Sequence, residues 1–347
     1  MQASNASCCL FKSGHLWAQA DPGVSSPLLE GALLGQGVRL PPWAASPEAP
    51  TSPMAALGLL LPTVLAVAYL TVAERKGLGA LQRRVGPEVV GPLGLGQAFA
   101  DALKLVLKEA HRPGRAGRAT LLGAPLGFLL ASLMGFAVLP GWNGVPLVDS
   151  AGGLLLVLVW LSAMTYGTVY GGKGTGSYFA TVGAVRAAAQ MVSYELAFGS
   201  ALLALVLLGE GFSLPELAGA PCAPLGPLLP LGAAYAVSLL AELNRTPFDL
   251  PEGESELVAG YMTEYASVPF VCFFLGEYGS LLFTSLLSAA LWAGGGAGGA
   301  LAVAAAVVAV RGTLPRLRYD QLVGFGWLQL LPLASGALLP VLLAVGA

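Results

Sequence analysis

Charge is what this 347-residue chain has least of: Lys, Arg, Asp and Glu together make up 10% of it, against about 25% in an ordinary soluble domain, while 56% is hydrophobic and the mean hydropathy is +0.74. That shortage excludes an ordinary water-soluble domain and predicts an all-α integral membrane protein. A formal net charge of -2 and a pI near 5.7 leave no basic footprint of the kind a nucleic-acid partner needs. Cysteine and histidine are scarce too. Cys8, Cys9, Cys222, Cys272, His15 and His111 contain no C-x-x-C and no cluster of ligands. This excludes a zinc, haem or iron–sulfur site made by the chain itself, so any redox centre belongs to another chain. A phosphate loop is also missing: Gly167 followed by Gly172-Lys173 mimics one, but Gly174 stands where the magnesium-binding hydroxyl is needed, and the stretch ends an apolar run rather than joining a strand to a helix.

What is present is apolar and punctuated. The 47 glycines and 25 prolines lie mostly between or inside long hydrophobic runs, where membrane helices tolerate them. Windows of about 20 apolar residues predict eight transmembrane helices over 54–73, 120–140, 151–170, 182–208, 225–240, 266–292, 295–310 and 322–345. The fifth and seventh are short, and Glu195 and Glu277 interrupt the fourth and sixth. Basic residues orient the bundle. The loop 74–118 holds nine of the 17 Lys and Arg, and Lys173, Arg186, Arg245, Arg311, Arg316 and Arg318 also follow odd-numbered spans. The positive-inside rule therefore places those loops on the matrix or cytoplasmic side and both termini outside.

Two segments stand apart from the spans. Residues 1–53, rich in Pro, Ser and Gly, carry Asp21, Glu30 and Glu48 against Lys12 and Arg39, which suits neither an Arg-rich presequence nor a secretory signal. They read as an irregular N-terminal extension to an eight-helix membrane domain, 54–347. Between the first two spans, Gln97, Asp101, Lys104 and Lys108 recur at helical spacing among Leu95, Phe99, Leu103 and Val106, which predicts an amphipathic helix lying at the membrane interface.

The candidates for chemistry are the polar residues that survive in this setting. Residues 242–264 hold six acids, Glu242, Asp249, Glu252, Glu254, Glu256 and Glu264, with Arg245 as their single base. Beside apolar spans, such carboxylates are expected to titrate as a coupled set with raised pKa values; the plainer reading is a solvated acidic loop. Glu195 lies mid-span, where an ionised acid costs about 3 kcal/mol unless it meets a cavity or partner. It is either functional or hydrogen-bonded between helices. At 100° per residue, Arg186, Gln190, Ser193 and Ala197 share one face of the fourth helix and Glu195 faces the opposite way. Arg186 is then either a head-group ligand or an interfacial anchor.

Six blocks carry a resemblance. They are Ala73-Glu74-Arg75-Lys76-Gly77-Leu78-Gly79, Gln82-Arg83-Arg84-Val85-Gly86-Pro87, Asp101-Ala102-Leu103-Lys104-Leu105, the run from Val185-Arg186 through Gln190 to Tyr194-Glu195, and Pro315-Arg316-Leu317-Arg318-Tyr319-Asp320-Gln321-Leu322. The most specific is Ala241-Glu242-Leu243-Asn244-Arg245-Thr246-Pro247-Phe248-Asp249-Leu250-Pro251-Glu252-Gly253-Glu254-Ser255-Glu256-Leu257-Val258. Over about residues 54–345 the chain resembles subunit 1 of NADH:ubiquinone oxidoreductase, respiratory complex I. It departs from the family pattern at Ala80, Glu88 and Leu328.

The resemblance implies a membrane subunit, not catalytic alone, at the joint of the hydrophilic and membrane arms of the complex. It would form much of the ubiquinone tunnel and couple NADH-driven quinone reduction to proton translocation. Arg75, Asp101, Lys104, Arg186, Arg245 and Phe248 would surround the quinone tunnel or its entrance, and Glu195, Glu242, Glu252, Glu254, Glu256 and Glu264 would form the proton route. Its partners would be the other subunits and membrane lipid, with NADH, FMN and iron–sulfur clusters held by those subunits. The location implied is the mitochondrial inner membrane, with the bacterial plasma membrane as the alternative. The rival readings are a membrane subunit of a related hydrogenase-like complex and a secondary ion transporter, although the latter predicts an internal inverted repeat that is not visible here.

Overall fold

With few side chains able to compete for backbone hydrogen bonds, and no water to satisfy them in an apolar setting, the long hydrophobic runs close their N–H and C=O groups internally as helices. The computed structural model describes residues 53–109, 117–139, 148, 150, 152–209, 211–219, 225–249, 260–292 and 296–345, and among them there is no strand. The helices are α1 (Pro53–Leu81), α2 (Gln97–Leu107), α3 (Arg118–Met134), α4 (Gly153–Gly174), α5 (Tyr178–Gly209), α6 (Leu214–Gly219), α7 (Leu225–Glu242), α8 (Val268–Trp292), α9 (Ala297–Thr313), α10 (Tyr319–Phe325) and α11 (Leu331–Val345). A single π-helical stretch, Gly326–Leu330, joins α10 to α11. The extension 1–52 lies outside the described residues.

Among the described residues, six stretches are long and apolar enough to cross a membrane: Gly58–Leu81, Ala119–Ala137, Gly153–Gly174, Tyr178–Gly209, Val268–Trp292 and Tyr319–Leu343. They fall on the first, second, third, fourth, sixth and eighth of the expected windows. The fifth and seventh windows correspond to shorter apolar helices, Leu229–Glu242 and Ala297–Thr313.

Two helices organise the bundle. Helix α8 packs against α1, α3 and α9, and α5 packs against α4, α7 and α11. Glycines permit the close crossings. A Cβ on Gly276 of α8 would lie 2.5 Å from the Phe128 ring of α3, and one on Gly183 of α5 would lie 3.0 Å from the backbone of Gly260 and Tyr261. The largest apolar cluster gathers Leu154, Leu161, Phe198, Leu202, Leu231, Tyr235, Leu281 and Leu287 from α4, α5, α7 and α8. Outward faces stay apolar, with Leu61, Leu130, Val159 and Leu343 exposed, as expected of surfaces that meet lipid rather than water.

Candidate functional site

The end of α1 departs from the sequence expectation in an instructive way. No proline interrupts residues 74–81, so the helix runs past the apolar window and carries Glu74 and Arg75 on neighbouring, differently facing positions. Glu74 is buried, whereas Arg75 is exposed and pairs with Asp101 of α2 at 2.6 Å. Asp101 also accepts a bond from Gln97 Nε2 at 2.9 Å. Phe99 meets Tyr69 edge-on at a centroid separation of 6.2 Å, which docks α2 beside α1. Lys104 is exposed on the same short helix.

Glu74 is the centre of a buried ionic seam. Its Oε1 accepts from Arg245 Nη1 at 3.2 Å and from Arg311 Nη1 at the end of α9. The Arg245 guanidinium also lies 4.5 Å over the ring of Tyr278, where the negative face of the aromatic attracts it. Burial pushes the Arg245 pKa down, but the Glu74 carboxylate beside it more than offsets this and leaves it above its ordinary value, so the group stays cationic. Nearby, Tyr261 OH donates to Glu277 Oε1 at 2.6 Å, and Arg316 Nη2 reaches Asp249 Oδ2 at 3.5 Å. Arg245 Nη2 and Glu74 Oε2 are buried without a hydrogen-bond partner. On sequence grounds Arg245 is the lone base of an acidic loop. In the fold its bonded carboxylate comes from α1 instead, and Asp249 takes Arg316.

Helix α5 presents two polar faces. On one, Arg186 lies 5.8 Å from the ring centroid of Tyr319, Gln190 Nε2 donates to Ala241 O (2.8 Å) and Asn244 Oδ1 (3.1 Å), and Ser193 Oγ accepts from Trp327 Nε1 at 3.0 Å. Tyr194 OH donates to Leu322 O at 2.9 Å. On the other, Glu195 accepts a hydrogen bond from Ser162 of α4. Glu242, in the last turn of α7, is buried close enough to Glu195 for their charges to interact, and its Oε2 has no hydrogen-bond partner.

Phe248 is buried against Tyr194, with centroids 5.5 Å apart, in an apolar cluster with Leu322 and Leu330. Glu264 is half-buried just after the turn Gly260–Met262. Glu252, Glu254 and Glu256 lie outside the described residues. Next to Glu264, Tyr265 donates to Gly171 O at 2.9 Å, and burial pushes its phenol up to about 12. Among the described residues no group of three His, Cys, Asp or Glu is arranged to hold a metal ion.

The fold thus brings Arg245 to Glu74 and Arg311, Arg75 to Asp101, and Glu195 to Ser162 near Glu242. It keeps Arg75 and Lys104 apart from the buried seam. Sequence reasoning missed Glu74, Arg311 and Tyr278, because Glu74 reads as the first residue of a basic loop. The available signal was its position one residue past an unbroken apolar window.

The sequence pattern of a family described as NADH dehydrogenase matches residues 54–342. A protein named NADH-ubiquinone oxidoreductase chain 1 from Mycosarcoma maydis is 43% identical over 308 residues, covering 82% of this chain and 93% of that protein. One of the same name from Candida albicans is 43% identical over 291 residues, covering 82% and 92%. A subunit of NADH-quinone oxidoreductase from Rhodospirillum rubrum is 40% identical over 311 residues, covering 84% and 91%.

Proposed function

This chain belongs to the NADH dehydrogenase family, and from that premise we propose how its polar groups serve a membrane subunit of respiratory complex I. The chain contributes much of a ubiquinone tunnel and couples NADH-driven quinone reduction to proton movement. It does no chemistry alone: NADH, FMN and the iron–sulfur clusters are held by partner subunits, and ubiquinone is the substrate. The membrane is the mitochondrial inner membrane, with the bacterial plasma membrane as the alternative, since the relatives named above are two fungal chains and a bacterial one.

Eight spans fit this role better than six. At 1.5 Å per residue the 18 residues of α7 extend about 27 Å and the 17 of α9 about 26 Å, close to the roughly 30 Å hydrocarbon core. The amphipathic α2 lies at the interface, its Phe99, Leu103 and Leu107 exposed for lipid.

The polar groups divide into two lines. Arg75 with Asp101 and Lys104 marks the entrance, and Arg186, Arg245 and Phe248 lie deeper, where fixed cations polarise a quinone carbonyl or hold an anionic form. Glu195 and Glu242 begin the acidic route, which continues through Glu252, Glu254, Glu256 and Glu264. One observation carries this reading. Glu195 and Glu242 stand on apolar helices that pack against each other, with no base bonded to either carboxylate among the described residues, an arrangement suited to handing on a proton. The test is Glu242→Gln in the assembled complex, read as steady-state quinone reduction and proton uptake in vesicles. We expect turnover to fall about ten-fold or more, as for loss of a positioned proton carrier; wild-type turnover with an unchanged proton-to-electron ratio overturns the acidic route.

A further inference from the structure

We infer that Gln190 is a positioning residue for the acidic pair: it fastens the C-terminal turn of α7 to α5 and so sets where Glu242 stands relative to Glu195. This rests on the proton-route reading above and names a residue through which that route is built.

The last carbonyls of a helix have no partner within it and must find one elsewhere. At the end of α7, Leu243 N bonds Leu239 O at 3.1 Å, Asn244 N bonds Ala241 O at 3.2 Å and Arg245 N reaches Leu240 O at 3.5 Å. Asn244 closes the turn at φ 49°, a left-handed conformation that Asn tolerates better than most residues. Gln190 is 0% exposed and donates both amide hydrogens to this turn, one to Ala241 O at 2.8 Å and one to Asn244 Oδ1 at 3.1 Å. A carbonyl only accepts, so the nitrogen of the Gln190 amide is the atom that faces it.

The two charged residues that follow Ala241, Glu242 and Arg245, differ in what holds them. Arg245 has anchors of its own in Glu74 and Tyr278. Glu242 has a buried Oε2 with no partner, so its place depends on the backbone that carries it. That backbone is tied to α5 by Gln190 five residues before Glu195. One helix therefore holds one acid of the pair and, through one amide, the stage on which the other stands.

The experiment uses the assembled complex with Gln190→Leu, which keeps bulk and removes both donors, and Asn244→Gly, which permits the same backbone conformation and removes only the side-chain acceptor. Each is measured alone and combined with Glu242→Gln, as quinone reductase activity over a range of quinone concentrations. We expect Gln190→Leu to lower kcat about five-fold or more with quinone KM within about two-fold, Asn244→Gly to give a smaller loss of the same kind, and neither to add to Glu242→Gln, as groups acting as one unit behave. Two results overturn the inference alone: wild-type kcat in the assembled variants, or losses that multiply with that of a slow Glu242→Gln. If Gln190→Leu fails to enter the complex, Asn244→Gly decides by the same two criteria. Glu242→Gln at wild-type turnover and proton ratio instead removes the reading on which the inference rests.

Discussion

At the scale of single residues, Glu74 shows how a fold revalues a side chain. One carboxylate faces two guanidiniums, one of them on a side chain only 9% exposed. Breaking a buried ion pair by removing one partner costs about 3–5 kcal/mol, because the charge left behind has lost both water and its counter-ion. Glu74→Gln strands Arg245 and Arg311 together, whereas Arg245→Leu leaves Glu74 paired with Arg311. We therefore expect Glu74→Gln to lower the melting temperature and yield of the assembled complex more than Arg245→Leu does, measured by thermal inactivation in detergent. Equal melting of Glu74→Gln and wild type would contradict a stabilising seam. The sequence allowed Glu195, Glu242, Arg186 and Arg245 to be singled out, because a charge beside or inside an apolar run is conspicuous. The position of Glu74 beside an apolar run marked the charge but not its partners, because pairing across 171 and 237 residues of chain is a property of helix packing.

At the scale of elements, hydropathy located the helices well, since the physical rule behind it is the one that makes them form. It was weaker at their ends. Helix α1 outruns its apolar window, and the final window resolves into α10, a π-helical stretch and α11, whose irregularity brings Trp327 to Ser193. Contacts between elements were not legible at all. Gly183 is one glycine among 47 in the sequence, yet its missing Cβ is where the turn Gly260–Met262 rests on α5, while Gly199, further along the same helix, has nothing within 4 Å. Gly183→Ala must move backbone and is expected to destabilise by about 1–3 kcal/mol, as overpacking does. Gly199→Ala is expected to be neutral or slightly stabilising. Thermal unfolding of the two variants, monitored side by side in the complex, checks this, and an equal effect at both positions would contradict the packing.

At the scale of the whole molecule, the two faces of α5 join the parts. Nine residues separate Arg186 from Glu195, about 13.5 Å along the axis and 180° around it. Arg186 lies by Tyr319 of α10, and Glu195 is bonded to Ser162 of α4. On the function proposed above, one helix links Arg186, assigned to the quinone side, with Glu195, assigned to the proton route. The division of labour has a kinetic signature. A group that contributes to binding changes KM, and one needed only in turnover changes kcat. The most direct measurement is steady-state NADH:quinone activity with proton uptake, in vesicles, across quinone concentrations for Arg186→Ala and Glu195→Gln. Arg186→Ala is expected to raise quinone KM with little change in kcat, and Glu195→Gln to lower kcat at saturating quinone with KM nearly unchanged. Wild-type turnover and a wild-type proton-to-electron ratio in Glu195→Gln would reduce that acid to a hydrogen bond between helices and contradict the account.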